Sequence, residues 1–85
     1  MTRYEVYFSS AAARQLRKLE ERQRKRVLHA VRGLSEDPRP PGVKALRGRV
    51  GYRIRIGDHR VLYTVDDGVI EVWVVKVGHR RDVYE

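Results

Sequence analysis

The chain has 85 residues, no cysteine, and 19 Lys and Arg against 11 Asp and Glu, for a formal net charge of +8. That length suits one domain over residues 1–85, and the absence of thiols excludes disulfides and thiolate metal sites. Fifteen of the cations are arginines, whose planar forks grip phosphate or carboxylate better than a lysine point charge. The balance points to nucleic acid, an acidic protein or a membrane surface. No apolar run approaches the roughly 20 residues that span a bilayer, and MTRYEVYF has no apolar signal core. The expectation is a soluble, cytoplasmic protein with no membrane partner.

Residues 3–8 alternate, with Tyr4, Val6 and Phe8 on one face, and predict a first strand. Ser9 and Ser10 offer an N-cap to a helix from about 10 to 19, where Ala12, Leu16 and Leu19 form an apolar stripe. A second helix is predicted from about 21 to 35, with Val27, Val31 and Leu34 inward. A break near Glu20–Glu21 makes the two a helical hairpin, and a single bent helix is the competing reading. Arg22, Arg24, Lys25 and Arg26 crowd the start of the second helix. They read either as a solvated helix face or as a secondary contact with nucleic-acid backbone.

Asp37-Pro38-Arg39-Pro40-Pro41-Gly42 ends the helix, because proline cannot continue it. Three strands follow at about 50–56, 59–66 and 69–77, separated by the turn pairs Gly57-Asp58 and Asp67-Gly68. IEVWVVKV is apolar on both faces, which predicts a central last strand with helices over one side.

Alternation puts Tyr52, Ile54 and Ile56 on one face of the strand at 50–56 and Arg53 and Arg55 on the other, roughly 7 Å apart. Arg60 returns beside them across the two-residue turn. These arginines either pair with Asp58, Asp66 or Glu71 or remain available to hold phosphate. His79 reads as a surface residue or an acid–base group, and Tyr84 as a packing residue or a ring on which a base stacks. There is no GxxxxGK[ST] loop, no HExxH and no nucleophile elbow. The acids are scattered, without the cluster a two-metal nuclease requires. Nucleic-acid cleavage by such a chain is therefore expected to be metal-free, with RNA as substrate because its 2′-OH is an internal nucleophile.

In order and spacing, KALRG, DHRVLY and VGHRRDVY resemble the RelE/ParE superfamily of bacterial toxins, on its RelE side, over nearly the whole chain. The resemblance implies an α+β fold, a helical hairpin packed on a mainly antiparallel four-stranded sheet (β-α-α-β-β-β). It also implies the toxin of a type II toxin–antitoxin system, a ribosome-dependent endoribonuclease that cuts mRNA in the A site. No cofactor is implied, and the partner is a cognate, acidic RelB-like antitoxin. The family's active-site basic residues on the second strand are matched by Arg53 and Arg55, and an arginine opening the third strand by Arg60. An arginine after the last strand is matched by Arg80 and a C-terminal tyrosine by Tyr84. Lys44 and Arg47 match the basic positions of a KLRG-like segment, with RNA backbone contact as their role.

Two departures stand out. The best-known member carries lysines where this chain has Arg53 and Arg55, and the stretch from Arg80 to Tyr84 is shorter. Arginine is a far poorer base than lysine, so the general base is unassigned and His79 is the fallback acid or base. The rival readings are a ParE-like DNA gyrase inhibitor and a non-catalytic basic RNA-binding module.

Overall fold

The computed structural model describes residues 3–79 and residue 81. Its elements are β1 (Glu5–Phe8), α1 (Ser10–Arg17), α2 (Glu21–Gly33), β2 (Lys44–Ala45), β3 (Tyr52–Ile56), β4 (His59–Asp66) and β5 (Glu71–His79). The strands form one sheet in the order β1-β5-β4-β3-β2. β1 runs parallel to β5 and the other pairs are antiparallel. The predicted meander of the last three strands is therefore present, and β5 lies inside the sheet. Among the described residues the sheet has five strands where the sequence predicted four. The addition is β2, whose two residues in KALRG are too few to show any periodicity.

Two separate helices stand where the hairpin was expected. The Ser9 hydroxyl accepts from the Ala12 N–H at 3.0 Å and donates to the Val75 carbonyl at 2.8 Å, capping α1 and tying it to β5. α1 ends at Arg17, not near 19, because Lys18 and Leu19 bond back three residues, to Gln15 and Leu16. Arg24 then donates to the carbonyls of Leu19 (3.1 Å) and Arg17 (3.4 Å), satisfying acceptors that the helix end leaves open. α2 stops at Gly33, where Leu34 and Ser35 likewise bond three residues back.

Both helices cover one face of the sheet. Ala12, Leu16, Val27, Val31 and Leu34 are buried there with Val61, Tyr63, Val72, Val74 and Val77. Tyr52, Ile54 and Ile56 pack against the same cluster, so Arg53 and Arg55 occupy the opposite, uncovered face. A bulge between β4 and β5 sets the phase. Leu62 pairs with Lys76 but Tyr63 pairs with Val74, which leaves Val75 unpaired. That extra residue lets Val74 and Val77 both face the core and sends Lys76 to the open face.

Strand β5 begins at Glu71, two residues later than the sequence suggested, because Asp66 pairs with Glu71 and residues 67–70 form the turn. The Asp66 carboxylate accepts from the N–H groups of Gly68 (2.9 Å) and Val69 (3.2 Å). Ile70 closes the turn with φ 58° and offers its carbonyl to the Glu5 N–H at 3.0 Å. Among the described residues no helix is long and apolar enough to cross a membrane.

Candidate nucleic-acid interface

Register assembles the arginines. Arg55 lies directly opposite Arg60 across β3 and β4, and Arg53 lies opposite Lys44 across β3 and β2. Lys44, Arg53, Arg55 and Arg60, with Gly42 and Ile54, line a concavity of about 220 Å³. No acid is among these lining residues. Like charges placed opposite each other on a sheet are destabilising, and here four cations share one hollow. Arg55 is held in place by its Nε, which donates to the Gly57 carbonyl at 3.1 Å.

Beyond this basic half, the open face changes character. Tyr7 and Trp73 stack there with ring centroids 5.0 Å apart. Trp73 donates to Glu71 at 3.1 Å, and Glu5, with burial and Glu71 following, pushes the Tyr7 hydroxyl above its ordinary value. Acids flank the aromatic half and cations fill the other, so a polyanion is drawn to one end of the sheet.

One wall of the concavity belongs to the proline loop, which is anchored from beneath. Arg39 donates to both carboxylate oxygens of Asp67 (2.9 and 3.2 Å) and to the Tyr52 hydroxyl (2.9 Å). Tyr4 donates to the same Asp67 carboxylate at 2.7 Å. These bonds, Arg39 first and Tyr4 second, hold the Asp67 carboxyl below its ordinary range. The same pairing, helped by Tyr52, raises the Arg39 guanidinium. The Tyr63 hydroxyl donates to the Pro38 carbonyl at 2.8 Å, and burial pushes that hydroxyl well above the ordinary phenol value. Arg39 was not a sequence candidate. Its place between prolines marks a rigid loop, but nothing local names an acid 28 residues further on.

The other sequence candidates divide. Arg47 lies in the exposed loop after β2 and outside the lining set. His79 pairs in register with His59, their rings edge to face at 5.9 Å, and its Nδ1 accepts from the Arg81 N–H at 3.2 Å. Arg60 pairs with Gly78 and Arg55, so alternation turns His79 to the helix side, away from the arginines. His79 is therefore not among the residues that the hollow brings together. Arg80 and Tyr84 lie outside the described residues.

The sheet is thus covered by two helices on one face and carries a cationic hollow on the other. A family model described as the ParE toxin of the type II toxin–antitoxin system matches residues 6–84. The Mycobacterium tuberculosis protein described as Toxin RelG is 36% identical over 83 residues, covering 95% of each chain. A chain of the toxin–antitoxin complex RelBE2 from Mycobacterium tuberculosis superposes with a TM-score of 0.84 at 35% identity, covering 96% of this chain and 97% of that one. The archaeal RelE–RelB complex from Pyrococcus horikoshii matches at a TM-score of 0.80 and 26% identity, covering 98% and 100%. The chain belongs to the RelE/ParE superfamily of type II toxin–antitoxin toxins.

Proposed function

We propose that this toxin is a ribosome-dependent endoribonuclease that cleaves mRNA in the A site without a metal. The observation that carries the reading is the convergence of Lys44, Arg53, Arg55 and Arg60 on one hollow that no acid lines. The 2′-oxygen of a ribose attacks the adjacent phosphorus while the P–O5′ bond breaks, giving a 2′,3′-cyclic phosphate and a 5′-OH end. One proton leaves the 2′-OH and one reaches the departing 5′ oxygen. Arg53, Arg55 and Arg60 neutralise the charge that builds on the phosphorane oxygens. Arginine stays protonated in proteins, so Lys44 is the lining side chain able to exchange a proton. Arg80 is assigned to the leaving oxygen and Tyr84 to base stacking, on their match to the family pattern.

The cognate partner is an acidic, RelB-like antitoxin, in keeping with the basic charge of the chain and with relatives described as RelE–RelB complexes. The toxin acts in the cytoplasm as one domain. The ParE description of the family model supports a second reading, inhibition of DNA gyrase.

The deciding experiment maps mRNA 5′ ends after incubation with the purified chain, with and without ribosomes. Cleavage that requires ribosomes and leaves cyclic-phosphate ends is expected. Arg60→Ala should lower it about 10²–10³-fold. Intact mRNA together with blocked gyrase supercoiling would transfer the assignment to the second reading.

A further inference from the structure

We propose that Arg22 and Arg26 on α2 form a second RNA-phosphate track, continuous with the concavity around the β3–β4 turn. The inference rests on the endoribonuclease reading and extends its RNA site beyond the reacting nucleotide. The track starts at Gly57. Arg26 lays its guanidinium over this glycine so closely that a Cβ there would meet Nη1 at 3.0 Å and Nη2 at 3.3 Å. The Gly57 carbonyl meanwhile accepts from Arg55. One glycine thus brings a helix arginine and a concavity arginine together around the edge of the sheet. Asp58 shares that turn, yet it forms no ion pair among the described residues.

Arg22 lies one turn before Arg26 on the same stripe, roughly 6 Å along the axis. The two neighbouring cations are already engaged. Lys25 pairs with Glu21 at 3.1 Å, and Arg24 caps the end of α1. Arg22 and Arg26 form no ion pair among the described residues. An anion that reaches both places, as a phosphodiester chain does, meets Arg26 on one side of the turn and Arg55 on the other.

The composition of the face favours RNA over a protein. The exposed residues of α2 are Glu21, Arg22, Lys25, Arg26, His29, Arg32 and Gly33, with no large apolar side chain among them. A protein interface draws most of its energy from anchors seated in well-packed, desolvated pockets; a nucleic-acid backbone needs only positioned cations.

The test follows binding of a 2′-O-methylated single-stranded RNA, which cannot be cleaved, between about 50 and 200 mM salt. Each phosphate contact contributes about 0.7 to the slope of log K against log salt for a single strand. Arg22→Gln/Arg26→Gln should flatten the slope by about 1.4 and weaken low-salt binding about tenfold. Arg22→Lys/Arg26→Lys should restore the slope. The charge-matched Arg14→Gln/Lys18→Gln on α1 should leave it at the wild-type value. Equal slopes for both Gln variants, or no recovery with lysine, would overturn the track alone. Wild-type protein that neither binds nor cleaves RNA would overturn the endoribonuclease reading as well.

Discussion

Lys44 separates holding from proton transfer. It shares a row of the sheet with Arg53, and both line the hollow. Lys44→Arg keeps the charge but removes a group able to release and take a proton. If Lys44 is the general base, Lys44→Arg loses about as much rate as Lys44→Met, on the order of 10²–10⁴. Single-turnover cleavage on programmed ribosomes distinguishes the cases, and near-wild-type activity in Lys44→Arg would leave Lys44 as a backbone contact. Ile70 presents a different residue-scale effect. It is a β-branched residue at φ 58°, a conformation that favours glycine or asparagine. Ile70→Asn should stabilise the free protein by about 0.5–1 kcal/mol in denaturant titrations. A lower midpoint would show that packing at this position outweighs backbone strain.

At the scale of elements, the Arg39–Asp67 ion pair is one of the anchors of the proline loop, beside the Arg39–Tyr52 and Tyr63–Pro38 hydrogen bonds. Asp67 is held below its ordinary range chiefly by Arg39, so the folded state favours its ionised form. The sign follows by linkage. Its contribution is complete above the ordinary carboxylate value near ~4 and is lost as pH falls through the depressed one. Asp67→Asn should flatten the acid side of the stability–pH curve, measured as the denaturant midpoint from neutral pH downward. Curves that stay parallel at all pH values would remove Asp67 from the linkage. Elements also differ in how plainly the chain announces them. Ser9, Gly57-Asp58 and the alternation of YRIRI marked a cap, a turn and a face that the structure contains. β2 escaped notice because two residues have no period, and they pair only because β3 offers an edge.

Across the whole molecule, stability and function oppose each other. A net charge of +8 and an Arg55–Arg60 pair in direct register both favour unfolding of the free chain. Arg55→Thr should therefore raise stability by about 0.5 kcal/mol while cutting RNA cleavage about 10²–10³-fold. Thermal melts and end mapping on the same preparation check both halves, and a destabilised Arg55→Thr would mean the pair is not repulsive in place. Added salt should likewise stabilise the wild-type chain by screening.

The sequence by itself determined the face that Arg53 and Arg55 share, since a strand's two-residue period leaves no choice once Tyr52, Ile54 and Ile56 are buried. It also determined the nearness of Arg60, because a two-residue turn fixes register locally. Tertiary structure decided the rest. His79 belonged to the helix side because pairing and a bulge set the phase of β5. Arg39 found Asp67, and Arg26 found Gly57, through packing between segments distant in the chain. Local periodicity sets which way a side chain points within its own strand, and only the assembled sheet decides what it meets.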